Sequence, residues 1–531
     1  MIIRTSALLV ALSVVPPVVL AQSGQPLFQI DRYEIDGNSL IDDERLMSLI
    51  QSYTGPSQSI DSIRRAQAAI EQQYRDAGYD TVRAITPEQA LDTGVIRIVV
   101  IESRIKQVKV VGNQHFDNNN VLNSLPALKE DTPPSLRQLS ENIQLANENP
   151  AKQIEVLLNS LPVPGEIEAR VLVKDSQPVK VSATLDNTGN ASTGRHRAGV
   201  AVQHANLFNA DHVATAAYIT SPEEPSRVDI FSVSYRLPLY QLGDSIDVIV
   251  GDSSVESATT ETVAGPLNFN GSGRVYGLRY NHYFAREGEF SARITVGLDQ
   301  KEFDNNCNIG GLSCGSADQD VSTRAATIAW LGLWQSAGRR TELFYTYAAN
   351  LGGVSNGDDA SFQAIRNGAN NNFKVLRYGF SQTNSYKNNW QSRLALIGQY
   401  SKNPLIPGEQ FGLVGSTLVR GFEERAISTD RGTVVNIELY SPNFGSALGL
   451  PESVSTRAVG FIDYGFGKNN PPLSSTDLRE TEVISAGLGM RFELTGRMTL
   501  NTDLASVINT EDRLDEERGD LRLHFLFTYL F

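Results

Sequence analysis

The sequence predicts two small α+β domains followed by a transmembrane antiparallel β-barrel of about sixteen strands. Three observations predict this fold class. The N-terminus carries an export signal, the next part of the chain contains an internal repeat of roughly 75 residues, and the remaining ~350 residues alternate between apolar and polar positions. A chain of 531 residues is long enough for more than one domain.

The first 21 residues have the pattern of a cleaved signal peptide. A positive start at Arg4 precedes an apolar run from Ser6 to Leu20, and a small residue, Ala21, stands at the expected cleavage point. Beyond Ala21 no apolar stretch approaches the roughly twenty residues that a membrane-spanning helix needs. We expect the mature chain to begin near Gln22 and to be either soluble after export or inserted in a membrane as strands.

Residues 27–104 form the first predicted domain, with the element order β-α-α-β-β. Strand-like residues 28–35 end at a Gly37-Asn38 turn signal, a short helix is expected around residues 43–53, and strand-like residues 95–101 close the unit. Between them an apolar face repeats at helical spacing, and Gly78 follows it where a helix C-terminus is expected. That face consists of Ile63, Ala66, Ile70, Tyr74 and Ala77.

Residues 105–178 repeat this order and form the second predicted domain. The strand-like residues 105–111 end at Gly112-Asn113, as the first strand ended at Gly37-Asn38. A second helical face and an alternating strand follow. The face consists of Leu136, Leu139, Ile143 and Ala146, and the apolar positions of the strand are Ile167, Ala169, Val171 and Val173.

Residues 179–531 show no convincing helical period and read as short alternating strands separated by turn residues. The clearest strand covers residues 484–494, and the last covers residues 521–531. A soluble sandwich and a membrane barrel give the same alternation. The export signal, the aromatic-rich last strand and the number of strands favour the barrel, because ~350 residues at about 22 per strand give close to sixteen strands.

Charge and motifs exclude several classes of function. The acidic balance, 60 Asp and Glu against 46 Lys and Arg, disfavours nucleic acid as a partner, since phosphate binding needs clustered basic charge. No phosphate-loop motif occurs, and Ser355 matches a nucleophile motif only within a loop-like stretch. His196, His204 and His212 lack a metal-ligand pattern. We therefore expect no enzymatic activity, no metal and no cofactor.

The two cysteines, Cys307 and Cys314, lie close together in a Gly- and Asn-rich stretch. In an oxidising compartment such a pair predicts a disulfide that closes a short loop, with two free thiols as the alternative. A zinc site needs more ligands than this stretch offers, so we expect a structural role.

The connection from about Lys402 to Arg431 is long for a hairpin loop, and it is Gly-rich yet apolar around Arg420. Long loops are usually functional or disordered, and apolar composition disfavours disorder. In residues 458–466 the small or apolar even positions would face lipid, which leaves Asp463 in the lumen. An Arg420–Asp463 pair and a solvated loop charge beside ordinary lumen lining are equally compatible with this pattern.

Val419-Arg420-Gly421-Phe422, together with Phe461, Asp463 and Gly465, resembles the two signature motifs of outer-membrane transporters that carry POTRA (polypeptide-transport-associated) domains. In that superfamily the first motif lies at the tip of an inward-folded loop, and its Arg contacts the Asp of the second. Two repeats, rather than more, resemble the transporters of two-partner secretion, also named haemolysin secretion/activation proteins. The remaining similar stretches are Gly78-Tyr79 and residues 85–89, 145–150, 185–189, 193–194 and 206–208.

The resemblance implies an outer-membrane translocation pore that exports a large unfolded partner, haemolysin-like or adhesin-like. The POTRA domains would lie in the periplasm and bind this secreted protein. The barrel would contact outer-membrane lipid and, during biogenesis, the barrel-assembly machinery. The C-terminal assembly signal would consist of Phe525, Phe527, Tyr529 and Phe531.

Two alternative functions remain, and one departure from the family stands out. An assembly factor that inserts other barrels is the main alternative, whereas a passive porin gives two periplasmic domains no purpose.

Well-known members of the family carry an N-terminal helix that plugs the barrel. Only a few residues separate Ala21 from the first strand, so we expect no plug helix and an inward loop near residues 402–431 as the main obstruction of the pore.

Overall fold

The computed structural model describes residues 27–255, 258–263, 265–269, 272–304, 308–309, 312–313, 320–473, 478–511 and 516–531. The chain divides into two compact units, one ending at Ser103 and the other beginning at Arg104. The predicted signal peptide and the predicted disulfide of Cys307 and Cys314 lie outside the described residues. No helix within these ranges is long and apolar enough to span a membrane.

The first unit has the predicted β-α-α-β-β order with two short strands added. Its elements are β1 (Phe28–Ile30), β2 (Arg32–Asp36), α1 (Asp43–Ile50), β3 (Gly55–Gln58), α2 (Ile60–Asp76), β4 (Arg83–Ile85) and β5 (Val95–Ile101). The main sheet has the order β2-β5-β4, and β1 pairs with β3. Helix α2 buries its predicted face except Ala77, which caps the helix, and Gly78 follows with a φ of +92°.

Glu102, directly after β5, closes the first unit. Its carboxylate accepts hydrogen bonds from the backbone N–H groups of Ser39 (2.7 Å) and Leu40 (2.9 Å) and from the Tyr74 hydroxyl (2.9 Å). Burial opposes ionisation, but these donors outweigh burial and lower the pKa of Glu102. Gly37 allows the tight turn before Ser39, because a Cβ there would lie 2.4 Å from a carbonyl oxygen of β5.

The second repeat uses the same device with different residues. Its elements are β6 (Arg104–Val111), α3 (Asn118–Asn123), α4 (Leu136–Asn147), β7 (Lys152–Ser160) and β8 (Glu166–Asp175), and the sheet order is β6-β8-β7. Asp175 accepts hydrogen bonds from the backbone N–H groups of Gln114, His115 and Phe116 at 2.8–3.1 Å. Burial alone would raise the pKa of Asp175, but these three donors outweigh burial and lower the pKa below its usual value. A Cβ on Gly112 would again meet a strand carbonyl at 2.4 Å.

The strands after the second repeat build a barrel. In chain order they are β9 (Val179–Asp186), β10 (Arg197–Leu207), β11 (His212–Thr220), β12 (Asp229–Leu239), β13 (Asp244–Ser253), β14 (Ala258–Thr262), β15 (Gly265–Phe269), β16 (Gly273–Tyr283), β17 (Phe290–Phe303), β18 (Asn308–Ile309), β19 (Leu312–Ser313), β20 (Val321–Ser336), β21 (Arg339–Asn350), β22 (Lys374–Ser385), β23 (Gln391–Ser401), β24 (Phe411–Gly412), β25 (Ser428–Thr429), β26 (Arg431–Tyr440), β27 (Val454–Lys468), β28 (Glu480–Leu494), β29 (Met498–Asn509) and β30 (Leu521–Leu530). Sixteen of these described strands close into an antiparallel barrel in which β30 pairs with β9, and this confirms the predicted fold class. The other six pair as the short hairpins β14–β15, β18–β19 and β24–β25.

One helix was not predicted in the barrel region. Helix α5 (Asp359–Ile365) lies in the connection between β21 and β22, so the expectation of no helix after residue 179 is wrong at this place. The side chain of Asp358 caps the helix by accepting a hydrogen bond from the backbone N–H of Ser361 at 2.8 Å. Seven residues are two turns, too few to show a helical period in the sequence.

The barrel wall has an apolar face and a polar face, as β27 illustrates. Phe461, Asp463 and Gly465 are buried, whereas Ile462 and Tyr464 are 54% and 37% exposed. Other strands expose apolar side chains in the same way, among them Val200, Tyr218, Val248, Leu278, Ile328 and Leu488. An apolar row of this kind faces lipid in an outer-membrane barrel, so Asp463 faces the lumen, as the alternation predicted.

The second repeat is packed against the turn between β10 and β11. The Lys152 side chain in β7 is fully buried, and its ammonium pairs with Asp211 in that turn. Asp211 also accepts a hydrogen bond from the Tyr240 hydroxyl at 2.6 Å. Burial lowers the pKa of Lys152 although Asp211 opposes that shift. Two barrel residues, Ala205 and Val213, complete the apolar core of the repeat, so the repeat and the barrel are one packed body.

Candidate functional site

The connection between β23 and β26, residues 402–430, folds into the barrel lumen. Its side chains form an apolar cluster with lumen-facing residues of the wall, and every buried member is at most 4% exposed. The members are Leu413, Val414, Val419, Phe422 and Ile427 from the connection and Val434, Val483 and Val507 from the wall. This burial explains the apolar composition of the segment, which we call the inward loop.

Arg420 lies at the tip of the inward loop and binds Asp463 in a bidentate pair. Its Nε lies 2.7 Å from Oδ2, its Nη2 lies 2.7 Å from Oδ1, and its backbone N–H donates to Oδ2 at 3.2 Å. The two side chains are 4% and 0% exposed. A planar guanidinium on a carboxylate fixes direction as well as distance. The structure therefore brings these two residues together and does not leave Arg420 as a solvated loop charge.

Two further acids surround the Arg420 guanidinium. Its Nη1 lies 3.0 Å from an oxygen of Glu438 and 3.4 Å from an oxygen of Asp503. Each acid has a second cation, because Arg393 pairs with Glu438 and Arg491 pairs with Asp503. Such a buried network adds little net stability compared with an apolar core, but removing one member leaves an uncompensated charge. The network therefore favours a single position of the loop.

Small residues allow the loop tip to approach the wall. A Cβ on Gly465 would lie 2.8 Å from the Val419 side chain. Gly421 has a φ of +101°, which favours glycine, and its N–H donates to Nε2 of His524 at 2.9 Å. The Phe461 ring lies under the arginine, 3.5 Å from the guanidinium carbon to the ring centroid. Both motifs of the sequence thus contribute contacts to one site.

Sequence reasoning missed several wall residues of this site: Asn436, Glu438, Asp503 and His524. The Asn436 side-chain amide donates to Oδ1 of Asp463 and to the carbonyl of Leu418, both at 2.8 Å. Alternation could have assigned these residues to the lumen face, as it did Asp463. It could not have shown which of them meet the loop tip, because strand register and barrel closure decide that.

The other predicted residues lie elsewhere. Phe525, Phe527 and Tyr529 belong to β30, and the Tyr529 ring lies 4.8 Å from that of Phe531. Ser355 lies in the connection between β21 and β22. Among the residues that the structure describes, no group of three or more His, Cys, Asp or Glu is arranged to hold a metal ion.

Comparison with known proteins gives consistent matches. The family model for haemolysin secretion/activation protein ShlB/FhaC/HecB matches residues 165–492, and the model for the ShlB-type POTRA domain matches residues 28–103. The heme/hemopexin transporter protein HuxB of Haemophilus influenzae (strain 86-028NP) is 20% identical over 514 residues, which cover 93% of this chain and 86% of that protein. The outer membrane transporter CdiB of Dickeya dadantii (strain 3937) is 24% identical over 420 residues, which cover 78% of this chain and 72% of that protein.

A solved structure has the same fold. CdiB from Escherichia coli superimposes with a TM-score of 0.74 at 18% identity, covering 97% of this chain and 93% of that chain. The family model covers more than half of the present chain, and it favours a translocation pore over the alternative of an assembly factor. The barrel lies in the outer membrane, and the POTRA domains lie in the periplasm. The chain belongs to the haemolysin secretion/activation protein family and is the outer-membrane translocation pore of a two-partner secretion system.

Proposed function

We propose that this pore exports one large partner protein in an unfolded state and that the inward loop obstructs the pore between export events. The observation that carries the proposal is the buried Arg420–Asp463 pair, because it fixes an apolar loop across the lumen of a pore. A sixteen-stranded barrel encloses a channel too narrow for a large folded protein, so the partner would cross as an extended chain. In this proposal Val419, Arg420, Gly421 and Phe422 form the obstructing tip, and Phe461, Asp463 and Gly465 form its receptor on the wall.

The name of one relative supports a proposal for the class of the partner. A relative in Serratia marcescens is named a hemolysin transporter protein, which supports a haemolysin-like or adhesin-like substrate. The sequence contains no nucleotide-binding motif, so we propose that folding of the partner outside the cell gives transport its direction.

A groove in the second POTRA domain offers a capture site for the partner. It has a volume of about 520 Å³ and lies between α4, β7 and the connection that precedes β17. Its lining combines five apolar residues with six polar or charged ones, and includes Leu139, Ile143, Val156, Leu158, Gln144 and Arg286. Strand β7 is an edge of its sheet, and an exposed edge can accept an extended segment through main-chain hydrogen bonds.

Asn147, the last residue of α4, indicates how such a segment would bind. Its side chain accepts a hydrogen bond from the Ile154 N–H (2.6 Å) and donates one to the Ile154 carbonyl (3.1 Å). An added strand would make the same two hydrogen bonds to the backbone N–H and C=O of an outward-facing residue of β7. Because backbone groups alternate along a strand, Val156 and Leu158 present their N–H and C=O groups in the same outward direction. We propose that the partner segment pairs with these two residues.

The loop is tested by reversing its charge. Arg420→Glu places a carboxylate among three acids, and we expect secretion of the partner to fall by at least about tenfold, since breaking a buried ion pair is strongly destabilising. The exchange Arg420→Glu/Asp463→Arg should restore part of the secretion. The measurement is partner protein in the medium relative to this pore in the outer membrane, and Lys402→Glu at the exposed start of the loop is the control.

The outcomes separate the candidate roles. Normal secretion by Arg420→Glu would show that the proposed role of this arginine is wrong. A parallel fall of many other outer-membrane proteins would indicate an assembly role and not export of one partner.

The last part of the proposal concerns how the protein is exported and assembled in the outer membrane. We propose cleavage after Ala21, recognition of Phe525, Phe527, Tyr529 and Phe531 by the barrel-assembly machinery, and contact of the exposed apolar row with outer-membrane lipid. The domains would then be POTRA domains at residues 27–104 and 105–178 and the barrel at residues 179–531, with a disulfide between Cys307 and Cys314 that closes a short loop.

A further inference from the structure

We propose that the inward loop has a second anchor at its root, in which Glu409 binds Lys301 and Arg377 of the barrel wall. This inference rests on the proposed role of the loop as the obstruction of the pore. The root anchor positions the loop independently of Arg420 at the tip, so the loop leaves the lumen only when both anchors are released.

Glu409 is a buried carboxylate that two wall cations neutralise. It ends the short turn Pro407–Glu409 and is 3% exposed. One oxygen lies 2.8 Å from Nζ of Lys301 on β17, and the other lies 3.0 Å from Nη2 of Arg377 on β22. A carboxylate removed from water is stable only when it is paired in this way. A carboxylate that was merely solvated in the lumen would not pair with two cations from strands that are not neighbours.

Gln399 on β23 connects the pair to the loop backbone. Its side-chain oxygen accepts a hydrogen bond from Nε of Arg377 at 3.0 Å, and its amide donates to the backbone carbonyl of Glu409 at 3.0 Å. The root anchor therefore fixes both the side chain and the main chain of Glu409.

The C-terminal end of the inward loop is held as well. It lies at the end of the barrel that is opposite the second POTRA domain. Asp430 is fully buried and accepts hydrogen bonds from Nη2 of Arg366 (2.9 Å) and from the backbone N–H groups of Leu405 (2.9 Å) and Asn470 (2.7 Å). Arg366 directly follows α5, so the connection that carries α5 contacts the root of the loop. The two ends of the inward loop are thus fixed before the chain turns into the lumen.

The two anchors hold different parts of the wall. The tip binds acids on β26, β27 and β29, whereas the root binds cations on β17 and β22. In the barrel order, the root strands β17 and β22 lie on one side of β23, and the tip strands β26, β27 and β29 lie on the other side. No residue belongs to both groups. A loop that bridges two separate arcs of a barrel keeps its place when one attachment is lost.

Hydrogen exchange of the full-length, reconstituted protein tests the root anchor. Glu409→Gln keeps the size of the side chain and removes its charge. We expect amide exchange in residues 403–412 to become about tenfold faster, because hydrogen bonds to charged groups contribute roughly that factor or more. Residues 416–424 should change by less than about twofold. Arg420→Gln should give the reverse pattern.

Matched variants guard against a folding defect. Arg377→Gln should reproduce the effect of Glu409→Gln from the wall side. Glu480→Gln removes an exposed carboxylate that pairs with Lys468 near the same end of the barrel, and it should leave both segments unchanged. Heat-modifiable electrophoretic mobility reports whether each variant forms the barrel.

Channel recordings in planar bilayers separate the anchor from the obstruction. The double variant Glu409→Gln/Arg420→Gln should raise the open probability at least about tenfold above either single variant. Unchanged exchange at residues 403–412 in both Glu409→Gln and Arg377→Gln would overturn the root anchor. Release of the whole loop by either single variant would overturn independence. Faster exchange in the double variant without a change of conductance would leave the anchor standing and refute the obstruction.

Discussion

The two POTRA domains share an element order and a closing device but differ in what completes their cores. Both turn at a glycine and hold the turn with a carboxylate from the end of the last strand, Glu102 in the first and Asp175 in the second. Among the described residues, the core of the first domain draws on that domain alone. The core of the second includes Ala205 and Val213 of the barrel. The same local pattern thus gives a self-contained domain in one place and part of a larger body in the other.

Their free sheet edges differ as well. In the first domain the edge strands β4 and β2 have three and five residues, and the backbone N–H of Ala84 in β4 already donates to Glu71 at 3.0 Å. In the second domain the edge strands β7 and β6 have nine and eight residues, and β7 borders a groove. A longer edge offers more main-chain hydrogen bonds to an extended segment. The second domain is therefore the better candidate for delivering a partner to the barrel.

The largest predicted effect concerns the attachment of the second domain. Lys152→Met leaves the Asp211 carboxylate buried without its cation, which costs about 3–5 kcal/mol of local stability. We expect amide exchange in β7 and in residues 206–211 to accelerate strongly, while the first domain is unaffected. Hydrogen exchange of the full-length protein measures both segments in one experiment.

Two variants sharpen that result. Lys109→Met removes a surface pair with Glu168 in the same domain and should change exchange by less than about threefold, since exposed pairs contribute 0–1 kcal/mol. Lys152→Met/Asp211→Asn removes both buried charges and should recover most of the loss. An unchanged turn in Lys152→Met would mean that apolar packing alone attaches the domain.

The contrast between Asp463 and Lys152 shows where sequence reasoning ends. Alternation along β27 predicts the lumen side of Asp463, and the apolar composition of the inward loop predicts its burial. Lys152 and Glu409 are single charges at strand or turn positions, where a solvated side chain is the ordinary expectation. Asp211 lies 59 residues from Lys152, and Lys301 and Arg377 lie 108 and 32 residues from Glu409. Domain packing and barrel closure bring such residues together, and neither leaves a periodic signal in the sequence.

A smaller effect is predicted for the closing carboxylates at low pH. The pKa of Glu102 and that of Asp175 are lowered in the folded protein, so each carboxylate stabilises its turn fully above its unfolded pKa of about 4. That stabilisation is lost as pH falls through the folded pKa. We expect amides 39–40 and 114–116 to lose protection below about pH 4, after correction for intrinsic exchange.

Amide variants test the same carboxylates at neutral pH. Glu102→Gln should cost about 1–3 kcal/mol, because a neutral amide oxygen accepts the Tyr74 and backbone bonds more weakly. Asp175→Asn should cost less, since its partners are backbone groups nearer to solvent. Protection in the wild type that does not fall between pH 7 and a pH well below about 4 would contradict the role assigned to both carboxylates.

The smallest predicted effect concerns the free edge of β7. Leu158→Pro removes an outward N–H without removing a bond to β8, because proline is tolerated where the N–H points away from the sheet. We expect binding of the purified N-terminal transport segment of the partner to weaken about five- to tenfold, roughly 1–1.5 kcal/mol for one lost hydrogen bond and a less favourable fit. Leu158→Ala shortens the side chain but keeps the N–H, so the difference between the two variants isolates the main-chain contribution. Equal affinity of the proline and alanine variants would show that the groove binds the partner through side chains and not by adding a strand to this edge.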